Sequence, residues 1–282
     1  MSKVRLAVYG AAGCGGCELS LLENPEAFMT LFRHVEVSFW PLITDSRLDD
    51  LAGLPDNSVE LGVLCGGVRT ELDYRVALLL AAKCRSLVAV GSCALWGGIA
   101  ALADLPPAGC SQVQAQPPLP PLLPRLFPLT KLIKGVYPIP GCPPKPDQLG
   151  TTLLALIGGQ ELQADFKQLE PAVCSSCPRS RGEEGPRRWY RYQEITVNDR
   201  CFLTLGLICS GPATRGGCGA RCPKVGLPCR GCYGPPAEVN DQGARLIGAL
   251  AALEVAETYQ DASLLDAIGT LYRYTWAATF AQ

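Results

Sequence analysis

Histidine is nearly absent from this sequence, and neither sign of charge dominates. The 282 residues include one histidine, His34, and carry a formal net charge of −1. A histidine-based zinc site or a Ser-His-Asp triad is therefore not expected, and we place His34 at a helix end or on the surface. The near-zero charge gives no electrostatic reason to expect a nucleic-acid partner.

Long apolar runs are also missing. The longest, VALLLAA (76–82) and LIGALAAL (246–253), fall well short of the roughly 20 residues that cross a bilayer. The opening MSKVRLAVYG has neither the apolar core of a signal peptide nor a twin-arginine pair. The glycines of YGAAGCGG match neither a Walker A loop nor GxGxxG, so no nucleotide site is supported. We expect a cytoplasmic protein with no direct membrane span.

Cysteine, in contrast, is abundant. Of the 15 cysteines, eight lie between residues 174 and 232, in a stretch rich in Gly and Pro whose weak apolar periodicity predicts no ordinary core. Eight thiolates are the ligand number for two cubane iron–sulfur clusters. Zinc held by CxxC pairs is the main rival, and an odd cysteine count in a reducing compartment disfavours a complete disulfide framework. These eight cysteines are Cys174, Cys177, Cys201, Cys209, Cys218, Cys222, Cys229 and Cys232.

The first 160 residues alternate between strand and helix patterns, which predicts an α/β fold with a doubly wound parallel sheet. Thr70 and Asp73 form a capping-box pattern, and the proline-rich run 116–128 predicts an irregular crossing segment. The strands are expected at 3–9, 35–40, 59–64, 86–91 and 134–139, and the helices from near Glu18, from Pro25, over 71–84 and from Pro146 to about Ile157.

Regular patterning fades between residues 160 and 240. Two helices are then expected, over 241–258 with Asn240 as its cap and over 261–276. The sequence therefore predicts a second, irregular domain that ends in helices.

Four dispersed cysteines follow predicted strand ends. Cys14 and Cys17 come after the first strand, Cys93 after the fourth and Cys142 after the fifth. Ligands of doubly wound sheets bind outside the carboxyl ends of the strands, so these thiols should share one site for a third cluster. Cys65 ends the third strand at the same edge; a buried core thiol is the plain interpretation, and a cluster neighbour or ligand is the alternative.

The remaining candidates are open to plainer interpretations. Cys84 and Cys110 are expected to be core thiols. Glu18 follows Cys17 directly and is a candidate proton relay, although an ordinary first-turn carboxylate has the same pattern. The arginine-rich run 178–192 predicts a solvated loop or a docking surface for a partner. Chain order divides the eight later cysteines into the first four and the last four, but interleaved ligands remain open.

With these motifs in hand, the chain resembles, over nearly its whole length, the small subunit of cytoplasmic nickel–iron hydrogenases in their three-cluster form. It looks closest to the methyl-viologen-reducing type that works with heterodisulfide reductase, and it is also similar to the sulfhydrogenase delta subunit. The resemblance rests on GCGGC (13–17), GSCALWGG (91–98), PGCPP (140–144), CSSCPR (174–179), CSGPATRGGCGARCP (209–223) and PCRGCYGP (228–235).

The resemblance implies a flavodoxin-like domain over 1–160 and a cluster-binding domain with C-terminal helices over 161–282. It implies three 4Fe-4S clusters. The implied ligands are Cys14, Cys17, Cys93 and Cys142 for the proximal cluster, Cys218, Cys222, Cys229 and Cys232 for the medial cluster, and Cys174, Cys177, Cys201 and Cys209 for the distal cluster. Membrane-type and periplasmic members use a histidine where Cys174 stands, and they place an acidic residue one position later than Glu18.

The implied function is transfer of electrons between the nickel–iron site of a separate large subunit and a further iron–sulfur or flavin subunit. Two other classes remain open. A quinone-reducing subunit like those of respiratory complex I would share only the proximal half. A zinc-stabilised binding module would have no redox role.

Overall fold

The computed structural model describes residues 3–105, 118–160, 172–182, 185–253 and 266–280. The chain forms two compact units. The first comprises Met1–Asp165 together with Tyr274–Gln282, and the second comprises Phe166–Arg273.

The first unit is built on a five-stranded sheet whose paired strands all run parallel, in the order β2-β1-β3-β5-β7. This confirms the predicted α/β class. A two-stranded antiparallel ribbon, β4–β6, accompanies it. The strands are β1 (Val4–Gly10), β2 (Val35–Phe39), β3 (Val59–Cys65), β4 (Val68–Thr70), β5 (Cys84–Val90), β6 (Leu122–Phe127) and β7 (Tyr137–Ile139).

Helices cover the sheet where the sequence pattern predicts them. Alternate strand residues point to one face, so Val63 of β3 and Val88 of β5 join one buried core with helix residues such as Leu149. Each such side chain contributes roughly 1.5–3 kcal/mol when fully buried. The helices of this unit are α1 (Gly16–Leu22), α2 (Pro25–His34), α3 (Leu48–Gly53), α4 (Glu71–Lys83), α5 (Gly91–Trp96), α6 (Leu129–Leu132), α7 (Pro146–Ile157) and, from the C-terminus, α11 (Trp276–Phe280).

Local end signals are confirmed in two of these helices. The Thr70 side chain accepts a hydrogen bond from the Asp73 backbone N–H, and the Asp73 carboxylate accepts one from the Thr70 N–H, which completes the predicted capping box of α4. His34 is the exposed last residue of α2, as expected.

The proline-rich run is not irregular throughout, and this expectation was wrong for its second half. Residues 116 and 117 lie outside the described part, but Leu122–Phe127 form β6, which pairs antiparallel with β4. The ribbon tolerates Pro124 because that residue is exposed on a short edge strand, where a missing N–H costs little. Leu126 is buried against Gly67 and anchors the ribbon.

In the described residues of the second unit before residue 240, regular structure is limited to short helical segments and an isolated bridge between Ser180 and Arg200. Its buried core is small and centres on Phe202, Leu203 and Leu207, with Cys209 and Cys229 among its members. Its helices are α8 (Arg221–Lys224), α9 (Gln242–Ala251) and α10 (Ala267–Leu271).

Two details of the C-terminal helices differ from expectation. Asp241, not Asn240, caps α9, because its carboxylate accepts the Ala244 N–H at 2.8 Å. The single helix expected over 261–276 is interrupted, because α10 ends at Leu271. Tyr274 already belongs to the first unit, and its carbonyl accepts a hydrogen bond from the Gly98 N–H of the same unit. Residues 254–258 and 261–265 of the expected helices lie outside the described residues. Within the described ranges, no helix is both long and apolar enough to cross a membrane.

Candidate functional site

Four strands of the sheet end in one row. Gly10 pairs with Cys65, Cys65 with Val90, and Val90 with Ile139, so β1, β3, β5 and β7 finish at the same level. The segments that follow β1, β5 and β7 carry the four cysteines predicted to meet, with Cys17 at the start of α1 and Cys93 on α5. All four line one pocket: Cys14, Cys17, Cys93 and Cys142. We call it the four-cysteine pocket.

Hydrogen bonds between loops hold this pocket in shape. The Ser92 N–H and hydroxyl both donate to the Gly141 carbonyl, at 2.8 and 3.0 Å, and tie the Cys93 loop to the Cys142 loop. The Ser20 hydroxyl of α1 donates to the Pro144 carbonyl at 2.8 Å and ties the Cys17 helix to the same loop. Both serines are buried, so these bonds are protected from water.

Glycine allows the backbone to approach the sulfur atoms. Gly91 has φ +86°, and a Cβ at this position would lie 2.3 Å from the Cys17 Sγ. Gly98 has φ +57°, and its Cβ would lie 2.5 Å from the Cys93 Sγ. Side chains are excluded at both positions by contact distance and by backbone conformation. The pocket is thus a cradle of backbone and thiols, which fits a compact inorganic group.

The thiols of the pocket influence one another electrostatically. Burial is the largest cause that raises the pKa of Cys17 to about 12, and the thiolates of Cys93, Cys142 and Cys14 contribute to the same rise, in that order. Burial also raises the pKa of Cys142 to about 11, with Cys93 and Cys14 as further causes. Four thiolates could not stay charged together here without cations, and the irons of a cluster would supply the missing positive charge.

Two more polar side chains border the pocket. Glu18 is buried at 6% exposure, and its carboxylate accepts a 3.0 Å hydrogen bond from the Trp40 indole N–H. Burial raises the pKa of Glu18, and the bond from Trp40 lowers it. Cys65, the last residue of β3, is 3% exposed and also lines the pocket. The sequence left open whether Cys65 is a core thiol or a neighbour or ligand of the group in this pocket.

In the second unit, Cys174, Cys177, Cys201 and Cys209 are neighbours. The pKa of Cys174 is raised by burial first, then by Cys201 and Cys177, and lowered by Arg181. A Cβ on Gly211 would lie 3.1 Å from the Cys174 Sγ and 3.6 Å from the Cys209 Sγ, so those two sulfurs flank the same glycine.

Three of the last four cysteines also converge. The pKa of Cys229 is raised to about 12, chiefly by burial and also by the thiolates of Cys232 and Cys218, although hydrogen bonds from the Gly231 backbone and the Thr214 side chain act to lower it. Cys222 lies exposed on α8. The two groups adjoin, because the Cys229 N–H donates to the Cys209 Sγ at 3.2 Å.

The spacing of these groups is wider than one metal ion requires. Among the residues described by the structure, no three Cys, His, Asp or Glu side chains lie close enough together to hold a single ion. The thiols nevertheless line a common pocket or shift one another's pKa.

Two arginines of the arginine-rich run 178–192 have different surroundings. The Arg179 guanidinium lies 3.9 Å from the Phe202 ring centroid and donates to the carbonyls of Arg200 and Asn198, so it stabilises the fold of the unit. Arg181 is exposed beside Cys174.

Sequence reasoning missed three residues that support the sites. Trp40 follows β2 and fixes Glu18, Ser20 fixes the Cys142 loop, and Arg215 is a buried cation whose guanidinium donates twice to the Pro235 carbonyl. Arg215 lies in the TRGGC segment, where a basic residue beside cysteines was a usable signal; no sequence motif marks the other two. Cys84 is a buried thiol at the start of β5, as expected, and Cys110 lies outside the described residues.

Comparison with known proteins identifies the family. A model described as NADH ubiquinone oxidoreductase, 20 kDa subunit, matches residues 14–156, about half of the chain. That range includes every cysteine of the four-cysteine pocket. The chain belongs to this family.

Within the family, relatives that match along nearly the whole chain are hydrogenase subunits. One subunit of the F420-non-reducing hydrogenase of Methanothermobacter marburgensis is 31% identical over 98% of this chain and 95% of the relative. The iron-sulfur subunit of the F420-non-reducing hydrogenase of Archaeoglobus profundus is 30% identical over 92% and 90%. Sulfhydrogenase 2 subunit delta of Pyrococcus furiosus is 26% identical over 85% and 90%. The family member described here is therefore a hydrogenase small subunit, an oxidoreductase component, as the motif resemblance predicted.

The fold agrees with this assignment. The structure of [NiFeSe] hydrogenase from Desulfovibrio vulgaris Hildenborough covers 83% of this chain and 94% of its own matched chain, with a TM-score of 0.56 at 17% identity. At that identity the match shows a shared fold and nothing finer.

Proposed function

We propose that this hydrogenase small subunit is the electron-transfer chain of a cytoplasmic nickel–iron hydrogenase and holds three 4Fe-4S clusters. One observation carries the proposal: four cysteines from three strand ends line one glycine cradle, and seven of the eight later cysteines gather in two adjoining groups. Twelve thiolates are the ligands for three cubane clusters.

The proposed ligand sets follow the motifs and the neighbours of each thiol. The couplings of Cys174 with Cys201 and Cys177 support three members of the distal set, and the Gly211 contact brings Cys209 beside Cys174. The couplings of Cys229 support three members of the medial set, and Cys222 rests on motif alone. The sets are Cys14, Cys17, Cys93 and Cys142 for the proximal cluster, Cys218, Cys222, Cys229 and Cys232 for the medial cluster, and Cys174, Cys177, Cys201 and Cys209 for the distal cluster.

When bound, the clusters supply one-electron carriers between the site of hydrogen chemistry and an acceptor. The residues of the chain fix the position of each carrier, exclude water and set its potential. Ser92 and Ser20 lock the proximal loops, and glycine brings backbone to the sulfurs. Burial of Cys209 and Cys229 keeps the junction of the other two sets dry. Glu18 lies at the pocket with its carboxylate held by Trp40, and its part in proton transfer stays a proposal.

The proposed partners are a nickel–iron large subunit and a further iron–sulfur or flavin subunit. All twelve candidate thiolates are assigned to clusters, so the nickel–iron site belongs on another chain. A surface of the second unit suits the second partner: exposed Val225 (73%) and Leu227 (47%) lie on one loop, and the Tyr192 hydroxyl donates to the Gly226 carbonyl between them. Exposed Arg221, Lys224 and Arg230 border this loop in sequence, so an acidic partner is favoured.

A cytoplasmic location fits the chemistry of the site. None of the 14 described cysteines forms a disulfide, and cluster ligation needs thiolates that a reducing compartment preserves.

Anaerobic purification of the complex tests the proposal. We expect about twelve iron atoms and acid-labile sulfides per chain, electron paramagnetic resonance (EPR) signals of reduced cubane clusters, and a nickel-containing chain that co-purifies. Stoichiometric zinc without iron would instead identify a zinc-stabilised binding module.

The family name raises one rival, a quinone-reducing subunit of the complex I kind, because the family model matches only residues 14–156. Iron from a single cluster, together with co-purifying membrane subunits in place of a nickel protein, would establish that rival. The eight cysteines beyond residue 156 argue against it.

A further inference from the structure

The four-cysteine pocket has a fifth thiol that a cubane cluster does not need. Cys65 lines the pocket together with the four proposed ligands, yet it comes from a strand and not from a loop. It is 3% exposed. Each iron of a cubane takes one protein ligand, so a fifth sulfur at this site requires its own explanation.

The backbone of Cys65 is fixed on both sides and at its carbonyl. It pairs with Gly10 of β1 and Val90 of β5, and its carbonyl accepts the Ala11 N–H at 2.8 Å. Cys65 therefore cannot shift toward the loops in the way that Cys14 or Cys142 could. This fixed position disfavours Cys65 as an exchangeable ligand.

The side chain of Cys65 completes an apolar row at its pocket end. Val63, Val88, Val90 and Ile139 share its core cluster on one face of the sheet, and Cys17 packs against that cluster. Valine would satisfy packing alone in this row, since it too is a small buried residue. Cysteine adds a weak S–H donor and a polarizable sulfur at the end nearest the pocket.

We propose that Cys65 is a positioning residue that acts through Cys17: its neutral thiol faces the Cys17 sulfur from the core side and raises the reduction potential of the proximal cluster. This inference rests on the proposed function. A donor beside a ligating sulfur stabilises the more negative, reduced cluster, because hydrogen bonds to sulfur are among the factors that set cluster potentials. The cluster supplies the electron-carrying chemistry; Cys65 contributes no ligand.

Three variants of the anaerobically purified complex test this role. Cys65→Val keeps an apolar, branched side chain in the row and removes the donor. Cys65→Ser keeps a donor at the same position. Cys84→Val is the matched control, because Cys84 is also a buried thiol of the same sheet but lies at the first residue of β5, the strand end opposite the pocket.

The readouts are iron content and the midpoint potential of the proximal cluster from an EPR-monitored redox titration. We expect all three variants to keep the wild-type iron content. We expect Cys65→Val to lower the midpoint potential and Cys84→Val to leave it unchanged. The midpoint potential of Cys65→Ser should lie closer to the wild-type value than that of Cys65→Val.

The outcomes separate the two levels of inference. If wild type itself contains no iron, the proposed function fails. If wild type contains its iron and Cys65→Val leaves the potential unchanged, Cys65 only fills the core and this inference is overturned. If Cys65→Val loses one cluster's iron while Cys84→Val does not, Cys65 is a ligand and the inference is likewise overturned.

Discussion

Two glycines pack directly against sulfur atoms of the four-cysteine pocket. At Gly91 and Gly98 the backbone lies so close to the Cys17 and Cys93 sulfurs that any Cβ would overlap them. Both glycines also have positive φ, which other residues adopt at a cost of about 1 kcal/mol or more. The proposed binding of a cluster in this pocket would therefore depend on residues that carry no chemistry themselves.

Gly91→Ala should abolish the proximal cluster, because the added methyl would displace the Cys17 sulfur. We expect the purified complex to lose about four of its irons and its hydrogen-dependent electron transfer. Gly135→Ala is the control: Gly135 has a similar φ of +77° but open space around its Cβ, so it bears the backbone cost alone. Equal iron loss in both variants would show that backbone strain, and not contact with Cys17, is the cause.

The sequence predicted that Cys14, Cys17, Cys93 and Cys142 lie together, because strand ends in a parallel sheet meet at one edge, and all four do line one pocket. It could not decide the role of Cys65, because side chains along β3 alternate between the two faces of the sheet. An error of one residue in the predicted strand register would place Cys65 on the opposite face. Trp40 was missed for a related reason. Its contact with Glu18 depends on how β2 and α1 come together in space, and no local pattern reports that distance.

At the level of helices and strands, the elements marked by local sequence signals were predicted, whereas those that depend on long-range pairing were not. The start of α4 followed from Thr70 and Asp73, three residues apart. The ribbon β4–β6 joins residues about fifty positions apart across a segment rich in proline, and composition alone pointed to irregular chain there. The break between α10 and α11 could not be predicted either, because at the break the Tyr274 carbonyl accepts a hydrogen bond from Gly98, which is distant in sequence.

Loss of the cap should weaken α4 by a known amount. Thr70→Ala removes the acceptor of the Asp73 N–H, and we expect the free energy of local opening at the first turn of α4 to fall by about 1 kcal/mol. Native-state hydrogen exchange measures this quantity directly.

Thr70→Ser should retain most of the protection, since its hydroxyl can accept the same bond. Asp73→Ala should cost more than Thr70→Ala, because Asp73 also accepts hydrogen bonds from the Tyr9 hydroxyl and the Arg69 N–H. If Asp73→Ala cost no more than Thr70→Ala, the bond from Tyr9 would contribute nothing.

Across the whole molecule, the two units differ in what stabilises them. The first has a sheet with a layered apolar core. Among the described residues of the second, the buried cluster around Phe202 includes two proposed cluster ligands, Cys209 and Cys229. If its eight cysteines hold clusters as proposed, cluster binding would supply folding free energy where side-chain burial is small.

Removal of the clusters should therefore unfold one region selectively. We expect residues 165–235 to lose protection in hydrogen exchange after anaerobic chelation, while β3 and α4 of the first unit keep theirs. Protection of 165–235 that survives complete iron loss would mean that packing alone maintains this region.

The 3.2 Å hydrogen bond from the Cys229 N–H to the Cys209 sulfur has a consequence for maturation. These two cysteines belong to different proposed ligand sets, so inserting either cluster orders backbone that the other one needs. Filling the second unit would then be cooperative, and partly matured chains would hold both of its clusters or neither. By the same linkage, oxidative loss of one cluster would expose its neighbour to damage.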